Sequence, residues 1–343
     1  MRLVTFQPGA GGLRFGVLDG ETVVEPGPVL RAEQRLRSGP TAAGRAPEVA
    51  TEMVAFFESG DAGLEHAGRA LEVARERRRF GDTLAGDDGA PVVHALDEVR
   101  LLAPVPRPRR VRDYLTYNQH ATGSGLAVPP AFAAMPVCYK CNVETIVGPG
   151  DELLWPSYTD QLDFELEIGF FAGRGGRDLT PAEARTRIAG IAIFNDVSAR
   201  DIQGFEMTMT IGPAKGKDFC TAMGPCVLTM AEVDEWSIAM SARVNGELWA
   251  SGTSKERQFS FAEVLAWASL DEDVYPGEFF ATGTVGGGCG LELDRWIQPG
   301  DVVELEASGV GVLRNPVGDK KVRREGAGVA SYHGAPPMHV AHD

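Results

Sequence analysis

The chain of 343 residues has no run approaching the about 18 continuous apolar residues of a membrane-spanning helix. Its opening stretch, MRLVTFQPGAGGLRFG, lacks the apolar core of a secretory leader. These two absences predict a cytosolic protein. Cysteine is scarce and odd in number, at five, so reduced thiols are expected rather than a disulfide framework. Cys138 and Cys141 form a C-x-x-C, yet no second pair and no H-x-H follows at zinc-site spacing, and both read as ordinary half-buried thiols. Positive charge is short too: 33 Lys and Arg stand against 48 Asp and Glu, a net of −15, which repels nucleic acid and anionic lipid. No internal repeat is visible at a period of roughly 20–50 residues, which argues against solenoids and propellers.

Turn formers are abundant, with 42 Gly and 22 Pro. At ordinary hydrophobicity this means many turns between short strands, and a mainly β, α+β architecture is expected. Residues 1 to about 25 alternate apolar and polar around Asp19-Gly20, the pattern of a hairpin. Residues 47–80 carry helical spacing and end in the basic run Arg75-Glu76-Arg77-Arg78-Arg79, read as a solvated helix end. Alternate prolines at 104, 106 and 108 exclude helix and mark a boundary. The expected organisation is a small N-terminal β/helical domain over 1–105, a catalytic domain over 106–330 and a mobile tail over 331–343. Within the second, strands are expected over 165–171, 188–195, 225–229, 238–244, 278–282 and 301–306, and helices over 181–188 and 261–270.

The most informative stretch is LDFELEIGFF, residues 162–171. In a strand, Asp163, Glu165 and Glu167 share one face and Phe164, Leu166 and Ile168 the other. Such crowded carboxylates repel or take up protons unless a hard divalent ion lies among them; otherwise the face is simply an acidic surface in water. Residues 193–203, IFNDVSARDIQ, run from an apolar strand into Asp196, placed to supply a fourth oxygen. Carboxylates with few spare histidines favour Mg²⁺, Mn²⁺ or Ca²⁺ over Zn²⁺. The loop IGPAKGKDFCT carries Lys215 and Lys217 but is no phosphate loop; a lysine here either clamps an anionic oxygen near a metal or is exposed. Of six histidines, His66 and His94 lie in the first module, and His333, His339 and His342 in the tail. His120 is left, in RDYLTYNQH, seven residues after Asp113 and on its face if the segment is helical.

The ordered blocks RDYLTYNQH, LDFELE, FNDVSARDIQ, GPAKGKDFCT and ATGTVGG…LELDRW, spread between Arg112 and Val317, resemble the fumarylacetoacetate hydrolase family. The resemblance implies a mixed β-sandwich roll, usually a homodimer, with a small SH3-like N-terminal domain in longer members. It implies metal ligands at Asp113, Glu165, Glu167 and Asp196, with Thr221 near the same ion. It implies a catalytic His120 partnered by Glu292, and substrate-holding groups at Arg200, Gln203, Lys217 and Thr284, with Tyr139 lining the pocket. Where the hydrolase of tyrosine breakdown presents tyrosine, arginine and tyrosine to its substrate, this chain has Leu115, Pro129 and Met207. The metal and dyad positions persist while substrate-reading positions differ, so another small anionic keto acid is expected.

The chemistry can also be argued directly. A β-diketo acid chelates a divalent ion through neighbouring oxygens, and the ion polarises the carbonyl and stabilises the enolate that leaves. His120, oriented by Glu292, would draw a proton from water, and Lys217 with Arg200 and Gln203 would hold developing negative charge. The leading expectation is hydrolysis of a C–C bond in an acylpyruvate-like or fumarylacetoacetate-like acid. The rival is decarboxylation, tautomerisation or hydration of a 2-oxo acid through the same enolate. A silent binding protein on this scaffold would be marked by missing ligands, and none of the implied ones is missing.

Overall fold

The computed structural model describes residues 1–9, 11–38, 49–125 and 128–340. Its centre is the antiparallel pair Leu166–Ala172 and Ile188–Asn195, registered from Leu166 opposite Asn195 to Phe171 opposite Gly190. Their near-continuous apolar sequences, LEIGFFA and IAGIAIFN, are what a strand covered on both faces requires. Ile168, Phe170, Ile191 and Ile193 enter one core, while Phe171, Ala192 and Phe194 enter the other. Thr221–Thr229 pairs beside Ile188–Asn195, and the first strand, Arg2–Pro8, continues the sheet with Arg2 opposite Leu228. On the other flank, Phe279–Ala281 runs antiparallel to Leu166–Ala172 and parallel to Val111–Tyr114, with Cys138–Lys140 beyond. The result is a mixed twelve-stranded sheet.

A five-stranded sheet, Glu247–Thr253, Ala239–Val244, Val302–Ala307, Gly311–Lys320 and Leu153–Trp155, closes the first core. The helix Phe261–Ser269 joins it, seating Phe261 against Phe170 with ring centroids 4.9 Å apart. Helices Pro26–Ser38 and Met53–Arg79 bear on the second core, where Phe56 meets Phe15 at 4.7 Å and Phe57 meets Phe171 at 5.5 Å. Burying each such ring contributes about 1.5–3 kcal/mol of transfer free energy. No helix among the described residues is long and apolar enough to cross a membrane.

The hairpin at Asp19-Gly20 forms between Arg14–Asp19 and Thr22–Val24. The helix expected over 47–80 is present as Met53–Arg79 with a break at Gly60, and its expected start at Pro47 lies outside the described residues. The six expected strands and two expected helices all have counterparts; both helices begin with capping boxes, Thr180 with Glu183 and Ser260 with Glu263. Pro26–Ser38, Glu247–Thr253 and Gly311–Lys320 were not anticipated. The basic run needs correction as well. It is exposed but not merely solvated: Arg75 and Arg78 pair with Asp19, and Arg77 reaches Glu33 at 2.8 Å, pinning the helix end to the hairpin and to the preceding helix.

Candidate active site

Residues paired across a sheet point to the same face, and the register therefore decides which carboxylates meet. Asp113 pairs with Ala281, which pairs with Gly169; Glu167 is two residues from Gly169 and so shares that face. Glu167 is opposite Phe194, and Asp196 follows two residues later, just beyond its strand. Glu165 lies opposite Cys289 in an isolated bridge, its N–H donating to Asn195 Oδ1 at 3.0 Å. Carboxylate oxygens of Asp113, Glu165 and Glu167 come within 4.8 Å of one another, and all four acidic side chains are buried.

Two expectations fail here. Asp163 does not share the carboxylate cluster, because Leu162–Asp163 belongs to a separate two-stranded ladder with Ser198–Ala199. Its carboxylate instead accepts from Arg200 Nε at 2.7 Å and from the N–H groups of Gly290 and Leu291 at 2.7 and 3.0 Å. Nor do Asp113 and His120 share a helix. Asp113 lies within the strand Val111–Tyr114, whose pairing with Cys138–Lys140 overrides helical spacing, and His120 sits on the short helix Asn118–Gly123.

Burial, with Asp196 beside it, pushes Asp113 well above the usual carboxylate range, and burial with Asp113 and Glu165 does the same to Glu167. Asp196 is also raised by burial, against the pull of Lys217. Glu165 goes the other way: burial is outweighed by Lys217 and Arg200, which hold its proton affinity below normal. Lys217, one of the two loop lysines, is buried with Nζ 2.6 Å from both Glu165 and Asp196, whereas Lys215 is exposed. Arg200 Nη2 stands 2.7 Å from Glu165, and its Nη1 donates to Gln203 at 3.0 Å. Tyr139 donates its hydroxyl to Asp113 at 2.9 Å and also contacts Asp196.

The donor set fits a hard divalent cation. Asp196 Oδ1 is buried with no hydrogen-bond partner among the described residues, and the clustered oxygens of Asp113, Glu165 and Glu167 have mutual repulsion that such an ion relieves. Thr221 is buried at the start of its strand, next to Ala222, which pairs with Asn195. Cys138 and Cys141 join no metal-ligating cluster among the described residues.

His120 faces this cluster. Its Nε2 is 4.0 Å from Glu165 Oε1, and its Nδ1 is 2.9 Å from Glu292 Oε2. Glu292 is itself held by the Gly287 N–H at 3.0 Å and the Cys289 thiol at 3.3 Å. His120 lines a cleft of about 270 Å³ with the buried Asp113, Glu165, Glu167, Arg200 and Lys217 at its charged inner end and the less buried Leu115, Val137, Met207, Pro213 and Met338 along an apolar outer wall. Of the three departures, Leu115 and Met207 line this cleft, while Pro129 stands exposed before the helix Pro130–Ala134.

Glu167 is positioned by a tight backbone approach: Thr284 Oγ1 and the Gly283 N–H donate to it at 3.0 and 3.2 Å. Gly283 has φ +88°, and a Cβ there would stand 2.4 Å from the Tyr114 carbonyl oxygen. Gly283→Ala is expected to destabilise the fold by about 1–3 kcal/mol and to weaken cation binding, read by thermal unfolding and metal titration.

Reading from sequence missed Ser124, whose Oγ is 3.4 Å from His120 Nδ1, and Asn195, which fixes Glu165. Asn195 directly precedes the singled-out Asp196, a usable signal; Ser124 offers none. It also missed Met338, because a Gly- and Pro-rich tail gives no periodicity to place it.

Residues 109–318 match the family model described as fumarylacetoacetate (FAA) hydrolase C-terminal. The human protein named Oxaloacetate tautomerase FAHD2A, mitochondrial, is 30% identical over 274 residues, 79% of this chain and 81% of that one. Oxaloacetate tautomerase YisK of Bacillus subtilis (strain 168) is 28% identical over 309 residues, 88% of this chain and 95% of its own. Among solved structures, a fumarylacetoacetate hydrolase from the psychrophilic Exiguobacterium antarcticum superposes with a TM-score of 0.66 at 26% identity, covering 93% of this chain and 99% of that one. Matching model, relatives and mixed-sheet fold agree with the order of the sequence blocks, and the chain belongs to the fumarylacetoacetate hydrolase family.

Proposed function

We propose that this protein hydrolyses a C–C bond in a β-diketo acid that bears an apolar acyl group, an acylpyruvate being the model substrate. The observation that supports this reading is the His120–Glu292 pair, 2.9 Å apart, set between a carboxylate cluster and an apolar wall. Asp113, Glu165, Glu167 and Asp196 would hold a divalent cation, which supplies Lewis-acid polarisation of a carbonyl when bound. Glu292 fixes His120 through Nδ1 and leaves Nε2 to take a proton from water. The water oxygen bonds to the acyl carbon, the bond from that carbon to the pyruvyl methylene breaks, and its electron pair passes to the departing pyruvate enolate. His120 then returns the proton to carbon, giving pyruvate and a carboxylic acid. Lys217 and Arg200 keep positive charge at the inner end, where the substrate carboxylate would lie, on a protein of net charge −15.

A second reading is keto–enol tautomerisation of a 2-oxo dicarboxylate, favoured by the names of the human and Bacillus relatives. It needs only the proton-carrying step of His120. Among the described residues the apolar outer wall offers no cation to a distal carboxylate, which favours the first reading. Acylpyruvates and oxaloacetate, each with Mg²⁺ or Mn²⁺ and again with chelator, separate the two through loss of enol absorbance and assay of pyruvate. Metal-dependent release of pyruvate and an acid is expected; enol–keto conversion of oxaloacetate without cleavage of any acylpyruvate would replace the first reading by the second.

A further inference from the structure

The C-terminal segment after the strand Gly311–Lys320 is largely exposed, yet Tyr332, Ala335, Met338 and Val340 are half-buried. The tail expected to be mobile thus has defined seats. Tyr332 donates its hydroxyl to the Tyr158 carbonyl at 3.0 Å. Met338 is held in both directions by one side chain: Gln161 Nε2 donates to its carbonyl at 3.1 Å, and its N–H donates to Gln161 Oε1 at 2.6 Å. Gln161 is buried, and its own carbonyl accepts from the Arg200 N–H at 2.9 Å, so the seat is tied to the start of the helix Arg200–Met207. On that helix Gly204 leaves room for the methionine, since a Cβ there would come 3.1 Å from Met338 Sδ. Next along, His339 meets the Trp296 ring edge-on, and Val340 lies beside Gly125, at the end of the His120 helix.

We infer that residues 332–340 are a strap that seats Met338 in the outer wall of the cleft, and that Met338 sets the length of acyl group the site accepts. The inference rests on the proposed keto-acid reading for the identity of the ligand, though not for the existence of the wall. Met338 joins Leu115, Val137, Met207 and Pro213 on the apolar wall of the cleft, where the arm of an acylpyruvate anchored at the inner end would extend. A flexible thioether suits this position, because it fills an apolar gap without specifying one shape.

The experiment uses full-length protein and Met338→Ala, a change in a half-buried tail side chain that leaves both cores intact. Two readouts are taken: kcat/KM across acylpyruvates of increasing acyl length, and the rate at which Cys138, which lines the same cleft, is labelled by a maleimide. A pocket that gains or loses one methylene changes selectivity by about 10–200-fold. Met338→Ala is therefore expected to shift the long-to-short preference at least about tenfold toward longer chains and to speed Cys138 labelling. Gln161→Ala, which removes both hydrogen bonds at Met338, is expected to speed labelling likewise. Unchanged Cys138 labelling in both variants overturns the strap, and an unchanged chain-length profile overturns the selecting role of Met338. Faster labelling in a protein that turns over no keto acid would overturn the keto-acid reading and leave the strap in place.

Discussion

Replacing Glu165 by alanine is expected to abolish cation binding and turnover together. Glu165 is one of three carboxylates whose oxygens lie within 4.8 Å, and it is the one held ionised, by Lys217 at 2.6 Å and Arg200 at 2.7 Å. Removing it leaves Asp113 and Glu167, both inclined by burial to keep a proton, and a site that can no longer offset the desolvation of a divalent ion. The same change strips a partner from two buried cations, and breaking a buried ion pair costs about 3–5 kcal/mol of stability. Titration calorimetry with Mg²⁺ and Mn²⁺ measures the first effect, and thermal unfolding the second. Glu165→Gln keeps volume and one acceptor oxygen for Lys217 or Arg200 while removing charge, so it helps to separate loss of the ligand from loss of the fold. Activity of Glu165→Ala in chelator-treated buffer would overturn the cation assignment.

His120→Ala is expected to slow turnover by about 10²–10⁴-fold, the usual contribution of a positioned base, and to leave cation affinity unchanged. The separation follows from the geometry. His120 Nε2 is 4.0 Å from Glu165 and Nδ1 is engaged by Glu292, so the ring stands next to the carboxylates without being one of their oxygen donors. Single-turnover assays with the preferred substrate, paired with metal titration, check both halves. A variant that cleaves acylpyruvate at the native rate would remove water activation by this histidine. Glu292→Gln should fall between the native protein and His120→Ala, because the ring keeps a hydrogen-bond partner but loses the charge that stabilises its protonated form.

Much of the strand pattern was legible because it is local. Alternation around Asp19-Gly20, the apolar run over 188–195 and the helical patterns over 181–188 and 261–270 depend on neighbours a few residues away, and each has its counterpart in the fold. The carboxylate cluster was legible only in part. Period two correctly put Glu165 and Glu167 together but also enrolled Asp163, since nothing local announces that the main strand begins at Leu166. Asp163 instead caps the N–H groups of Gly290 and Leu291 and pairs with Arg200, partners distant in sequence. Helical spacing likewise joined Asp113 to His120, where edge pairing of Asp113 with Tyr139 makes a strand.

By itself, then, the sequence determined the chemical inventory of this protein: an acidic chain with buried-strand runs, a set of carboxylates short of histidine, one histidine in the main lobe, and the ordered blocks that mark its family. Only the tertiary structure decided which of these groups meet. Asp113, Glu167 and Asp196 converge because four adjacent strands pair in one register, and that register is set by the apolar faces on both sides of the sheet. Lys217 is buried rather than exposed because its loop folds over the same strand ends, and Met338 reaches the cleft because Gln161 holds its backbone there. Backbone geometry imposes its periods within a few residues, whereas contacts between distant segments are chosen by what the whole chain can bury at once.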